Sequence, residues 1–286
     1  MKIFKKLLAG MICVCVVCST LLAGVSAAPQ DKSLPQGAVA VDVTLDGKPI
    51  LKGQTFIINS VTYVPLRSFS ELMGAEQISW DAKKNTASVK LENTTVYVTS
   101  SALYISASDR YFFTVERVLN INGRLYVPVR AIAEPFCANV RWDAATRTVS
   151  VKTGTQTLER GSSYYDSDDL YWLSRIINAE ASGESLAGKI AVGNVVLNRR
   201  ASKQYPNTVY GVIFDRVGGT QFTPVVSGTI YRTPTQESII AAKICLEGYS
   251  VDNAILFFMN PKIATSNWIS KNRPFAFTIG NHSFYY

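Results

Sequence analysis

"INSVTYVPLRSFSELMGAEQISWDAKKNTASVKL" (58–91) is followed by "INGRLYVPVRAIAEPFCANVRWDAATRTVSVKT" (121–153), one pattern written twice. Tyr63-Val64-Pro65 aligns with Tyr126-Val127-Pro128, Arg67 with Arg130, Glu71 with Glu134, and Trp80-Asp81 with Trp142-Asp143. The offset is 63 residues and slips to 62 after the helical segment. Each copy reads as a short strand, a Pro-led turn, an amphipathic helix, and two strands joined at "WDAKKNT" or "WDAATRT". Two copies are too few for a solenoid, so one α+β domain with pseudo-symmetry is expected. Arg67 and Arg130 each precede a glutamate by one helical turn, and pairing with Glu71 and Glu134 is the expected use of both.

On the N-terminal side, "MKIFKK" is a short basic segment, residues 7–24 are apolar, and Val25-Ser26-Ala27 offers a small-residue cleavage site. Residues 1–27 therefore read as a secretory signal peptide. An uncleaved anchor is the alternative, since about 18 apolar residues approach the length of a membrane span. Cleavage removes Lys2, Lys5 and Lys6 from 29 basic residues and none of the 21 acidic ones, so a net charge of +8 falls to +5. A mildly basic secreted chain suits an anionic partner. Its basic residues form no clustered stripe of the kind that binds nucleic acid.

Three of the five cysteines lie within residues 1–27, leaving Cys137 and Cys245, one in each half; no disulfide framework is expected. The single histidine, His282, is too few for a zinc site of the usual type, and no G-x-S-x-G elbow exists to pair with it as a triad base. No metal or other cofactor is expected.

On the C-terminal side, 155–168 is polar, lacks apolar periodicity and reads as a linker. Leu170, Leu173, Ile176 and Ile177 then mark a helix capped by Ser167 or Asp168 and stopped near Gly183. Further helices are expected from about Ser185 to Leu197, over 208–214, and after Thr233, with Pro234 at the first position and Gln236 completing a capping box. Cys245 sits on the apolar face of that last helix as a small hydrophobe. Residues 254–260 and 282–286 read as strands.

Residues 170–286 hold only six acids: Glu180, Glu184, Asp215, Glu237, Glu247 and Asp252. Five have plain explanations as helix-start, helix-end, turn or neighbour-paired charges. Glu180 stands three residues past Ile177, four past Ile176 and seven past Leu173, on the face that should be buried. A carboxylate there is unfavourable unless paired, with Arg199 the obvious structural partner, or protonated, as a general acid near neutral pH requires. Spacing alone leaves both uses open.

Residues 38–154, with their "YVPLR…WD" pattern, resemble the copper amine oxidase N-terminal-like ("stalk") domain. No histidine is present there to hold copper, and binding of wall anions by Arg67 and Arg130 is the lesser reading of the two arginines. "AEASGES…GKIAVGNVVLNR", "TQF", "TPTQES", "NPKIATSNWI" and "IGNHSFYY" together resemble the spore cortex-lytic, cell-wall hydrolase family, lysozyme-like and similar to lytic transglycosylases. The resemblance makes the first glutamate of "E-A-x-G-E", Glu180, the catalytic acid. It implies substrate contacts for Glu184, Asn198, Gln221, Phe222, Asn260, Trp268, Asn281 and His282.

The expected fold is α+β in two domains, a pseudo-repeated stalk-like domain and a helix-rich lysozyme-like domain. The expected boundaries are 1–27 signal peptide, 28–37 linker, 38–154 stalk-like domain, 155–168 linker and 169–286 catalytic domain. The expected function is a secreted peptidoglycan glycosidase cleaving the MurNAc–GlcNAc β-1,4 bond of spore cortex during germination, located in the wall or spore envelope. A lytic transglycosylase needs one glutamate, whereas a hydrolytic muramidase needs a second carboxylate. The alternative from another class is a non-catalytic wall or spore-coat binding protein. The expected partners are peptidoglycan glycan strands, with no nucleic acid and no stable membrane insertion.

Overall fold

Tyr63, Val64 and Pro65 pair in antiparallel register with Pro128, Val127 and Tyr126, so the equivalent strands of the two repeats lie side by side about a local twofold axis between Val64 and Val127. In this computed structural model, which describes residues 34–286, they are the middle of a five-stranded sheet. Its order is Val39–Ala40, Phe56–Ile58, Val61–Pro65, Arg124–Pro128 and Leu119–Ile121. The expected signal peptide and residues 28–33 of the N-terminal linker lie outside the described residues.

Each repeat then follows the expected order. Pro65 and Pro128 close their strands, because proline brings no N–H to the ladder, and each stands directly before a helix, Leu66–Leu72 and Val129–Ala133. The second helix is shorter because Pro135 converts its continuation into the 3-10 turn Glu134–Phe136. Each repeat finishes in a hairpin, Gln77–Asp81 with Thr86–Lys90 and Asn139–Asp143 with Thr148–Lys152. Asp81 Oδ1 accepts the backbone N–H groups of Lys83 and Lys84, and Asp143 Oδ1 those of Ala145 and Thr146, so the "WDAxxxT" turns are closed by one device.

The hairpins go to different sheets. The first joins strands Thr95–Thr99, Tyr104–Ala107 and Arg110–Phe113, which lie between the repeats. The second pairs in parallel with Asp42–Leu45. One apolar core, including Val64, Phe69, Val89, Val127, Ile132 and Val151, lies beneath both repeats.

The C-terminal half is built on three helices, Ser167–Ala181, Leu186–Ala201 and Gln236–Leu246, with a three-stranded sheet ordered Phe257–Met259, His282–Tyr285, Phe275–Ile279. Gly193 brings the helices together: a Cβ there would stand 2.7 Å from Cys245 Sγ and 2.9 Å from Ile177 Cδ1. Cys245 is buried as expected. Two helix starts differ from expectation. The first is capped by Asp166, which accepts from the backbone N–H groups of Asp168 and Asp169. The last is capped by Thr235, which accepts from Ser238 N–H, so Thr233 and Gln236 form no capping box. Strand Phe275–Ile279 and helices Thr223–Ser227 and Trp268–Asn272 were not legible in the sequence. Among the described residues no helix is long and apolar enough to cross a membrane.

Residues 155–168, expected as a linker, are partly built into a junction. They contain the helical turn Gly161–Tyr164, and Tyr165 is buried with its hydroxyl on Glu247. Arg110, on a strand of the N-terminal half, donates from Nε to Glu247 Oε1 at 2.8 Å and from Nη2 to Oε2 at 2.5 Å. Lys243 Nζ meets Asp109 Oδ1 at 2.6 Å. Leu103, Tyr104, Tyr111 and Phe113 pack against the core of the helical half. Residues 37–286 accordingly form one compact unit.

Candidate active site

Glu180 lies in the last turn of the helix Ser167–Ala181, whose buried residues include Leu173, Ile176 and Ile177. The 3.6-residue period places its side chain on that same face, and it is half-buried. Among the described residues nothing hydrogen-bonds or ion-pairs with its carboxyl. Burial alone pushes its pKa up to about 7.

The partner considered from sequence is used elsewhere. Arg199 is buried, donates from Nε to the Leu256 carbonyl at 2.7 Å, and lies over the rings of Tyr205, Phe222 and Phe257. Burial pulls its pKa down.

The other five acids of this half are all engaged. Asp215 accepts from Val217 N–H, and Asp252 from Ala254 N–H. Glu237 pairs with Lys189 at 2.6 Å and Glu247 with Arg110 at 2.5 Å. Glu184 accepts from Asn281 Nδ2 at 2.9 Å and from Asn281 N–H at 3.2 Å. The Asn281 side-chain bond is the chief reason its pKa is lowered.

Gly280 makes that contact possible. A Cβ at residue 280 would stand 2.0 Å from Glu184 Oε2, and the backbone there has φ +60°, a conformation that favours glycine. Lys189, nearly fully buried, donates to the Glu184 carbonyl at 2.5 Å as well as to Glu237. It thus ties the starts of two helices together, a function the sequence did not reveal.

The remaining predicted residues divide. Asn281 and His282 gather around Glu184, and Lys262 joins Asn260 to them: its N–H donates to Asn260 Oδ1 at 3.0 Å and its Nζ to Asn281 Oδ1 at 3.2 Å. His282 is buried edge-on to Phe258, with Nδ1 unpartnered and 3.9 Å from Glu184 Oε1; burial lowers its pKa. Trp268 is 52% exposed, with the Arg273 guanidinium 5.4 Å from its ring centre, so it is not a core residue.

Three expected substrate contacts are occupied by structural work. Phe222 is buried beneath Arg199 and has no face left for a sugar. Gln221 spends its amide on the carbonyls of Val217 and Gly219. Asn198 spends its own on the carbonyls of Asp252 and Ile255, holding the segment that enters the sheet.

Residues 183–285 match the family described as Cell Wall Hydrolase, and residues 44–159 match the Copper amine oxidase N-terminal domain. The chain carries a cell wall hydrolase domain preceded by a copper amine oxidase N-terminal-like domain. The first match begins just after Glu180 and includes Glu184, Gly280, Asn281 and His282.

A spore cortex-lytic enzyme from Bacillus cereus is 38% identical over 120 residues, which cover 42% of this chain and 45% of that protein. The Bacillus subtilis spore cortex-lytic enzyme is 36% identical over 120 residues, covering 42% and 38% respectively. The chain thus matches less than half the length of these curated relatives. A solved structure, the catalytic domain of germination-specific lytic transglycosylase SleB from Bacillus anthracis, is 36% identical with a TM-score of 0.40, covering 45% of this chain and 100% of that one.

Proposed function

We propose that this chain is a peptidoglycan-degrading glycosidase that cleaves the MurNAc–GlcNAc β-1,4 bond of spore cortex during germination, as a lytic transglycosylase with Glu180 as its acid. One observation carries the reading: of the six acids in the helical half, Glu180 alone has no partner among the described residues and a pKa pushed up to about 7. A carboxyl of that pKa is protonated often enough at neutral pH to donate to a leaving glycosidic oxygen. Hydrolysis with retention needs a second carboxylate about 5–5.5 Å away, and Glu184 is committed to Asn281. With no nucleophilic carboxylate, the C6 hydroxyl of the muramic acid attacks the oxocarbenium-like centre, and Glu180 takes its proton. Proximity favours that internal hydroxyl over bulk water.

Glu184 is a positioning residue in this reading, fixing the turn that presents Asn281. Asn260, Asn281 and Trp268 keep their proposed place along the glycan, while Asn198, Gln221 and Phe222 support the framework. Secretion to the wall or spore envelope, and the division into 38–154 and 169–286, belong to the same proposal. Mass spectrometry of digested cortex is the test. The expected product is 1,6-anhydromuramic ends, each lighter by one water than a hydrolytic end. Reducing muramic acid ends, with activity lost in Glu184→Gln, mean a two-carboxylate hydrolase instead.

A further inference from the structure

The local twofold axis between Val64 and Val127 generates two grooves as well as two repeats. The first, about 500 Å³, runs between Arg130 and Trp142 of the second repeat and is closed by Ser60, Val61 and Thr62 of the first. The second, about 400 Å³, runs between Arg67 and Trp80 of the first repeat and is closed by Gly123, Arg124 and Leu125 of the second. Under the 63-residue offset each closing residue of one groove is the equivalent of one in the other. Both volumes lie in the range of small-molecule sites.

Each groove carries an indole and two guanidinium groups, Trp142 with Arg130 and Arg141 in the first and Trp80 with Arg67 and Arg124 in the second. Of these, Arg67 and Arg130 are equivalent in the repeat. Trp80 is 46% exposed and Trp142 43%, although each stands on a hairpin over a well-filled core. Arg130 is exposed, and the expected pair with Glu134 does not form among the described residues. Glu134 is exposed and faces Arg110 instead, its pKa raised by partial desolvation of the carboxyl. Arg67 does reach Glu71, at 3.7 Å, but both side chains are more than half exposed, where an ion pair contributes little. Among the described residues no aspartate or glutamate lines either groove. A flat apolar ring beside an exposed arginine, weakly paired in one groove and outside ion-pair reach of Glu134 in the other, suits a sugar face next to a carboxylate.

We infer that these are twin binding sites for a carboxylate-bearing saccharide, the sugar stacked on Trp80 or Trp142 and the carboxylate on Arg67 or Arg130. Taking that saccharide to be the acidic glycopeptide of the wall rests on the lytic reading above; the binding itself does not. Two related sites within one compact unit hold a polymeric strand far more tightly than either alone.

Calorimetric titration of full-length Glu180→Gln with soluble disaccharide-peptide fragments, and with neutral chito-oligosaccharides of equal length, is the test. Because Glu180→Gln is titrated, failure of the lytic reading leaves the result intact. Adding Trp80→Ala and Trp142→Ala is expected to remove two equivalents of acidic-fragment binding. Arg67→Gln with Arg130→Gln, which leaves the indoles in place, is expected to weaken the same two sites at least tenfold. In the otherwise unaltered chain the two tryptophan substitutions are expected to leave cleavage of short soluble fragments within twofold and to lower retention on whole sacculi at least tenfold. The inference is overturned if the tryptophan variant titrates like its parent, or if neutral oligosaccharides fill the same sites equally well.

Discussion

The carboxylate of Glu184 accepts two hydrogen bonds from Asn281, one from its backbone N–H at 3.2 Å and one from Nδ2 at 2.9 Å. They hold the start of a helix to a hairpin turn 97 positions further along the chain, and they keep the carboxylate charged. Glu180, four residues earlier, is half-buried with no such donor. Two glutamates four residues apart are therefore driven to opposite protonation preferences near neutral pH, the condition for one of them to act as an acid.

Glu180→Gln is expected to abolish lysis of a cortex suspension while leaving the fold intact, because the amide is isosteric but donates no comparable proton. Turbidity loss is the measurement, and a rate within a few-fold of the parent refutes the assignment.

The same substitution has a signature in stability. Folded Glu180 keeps its proton up to about pH 7, whereas the ordinary carboxyl releases it near 4.5. Between those values the unfolded state binds fewer protons than the folded one, so the parent loses stability as pH rises, on the order of 1 kcal/mol per pH unit. Glutamine has nothing to ionise. Glu180→Gln is expected to match its parent in Tm at pH 4 and to exceed it at pH 8; equal values at both would mean that Glu180 is solvated.

Lysis in the parent chain is expected to decline as pH rises through about 7, when the acid loses its proton. A pH–rate profile checks this. A basic limb far above that value would assign the proton to another group.

Gly280→Ala is expected to destabilise the chain by about 1–3 kcal/mol, since it forces an alanine into positive φ and against the Glu184 carboxylate. Glu184→Ala removes the obstacle, so the double variant should recover part of the loss in urea unfolding. Glu184→Gln alone should slow lysis less than tenfold.

Arg110→Ala is expected to destabilise residues 37–286 by about 3–5 kcal/mol, because it leaves Glu247 buried and uncompensated. Glu247→Gln in the same chain should restore part of that. A chain of residues 165–286 lacks both Arg110 and Asp109 and is expected to melt below the parent. An equal Tm would mean that the junction adds nothing.

The repeat was legible from one sequence because its signals are local: a proline after each strand, a period-2 hairpin, an aspartate at the same place in each turn. Glu180 was legible for the same reason, since the helical period fixes which side chains share a face whatever packs against it. Helix starts were less secure. Asp166 and Thr235 won over Ser167 and Thr233 because several side chains in each stretch can cap, and only the packed register selects one.

What the sequence by itself determined is the order and type of the elements around each repeat, the three helices of the C-terminal half, and the placement of one carboxyl on an apolar face. Tertiary structure alone decided which groups meet. Glu184 finds Asn281, Arg110 finds Glu247 across 137 positions, and Phe222 goes under Arg199 instead of facing solvent. It also decided that each repeat's tryptophan faces residues lent by the other. Local signals act through backbone dihedrals and side-chain period within a few residues. Partners distant in sequence are selected only when the cores close, because burial then makes every unpaired polar group unfavourable and leaves few arrangements that satisfy them all.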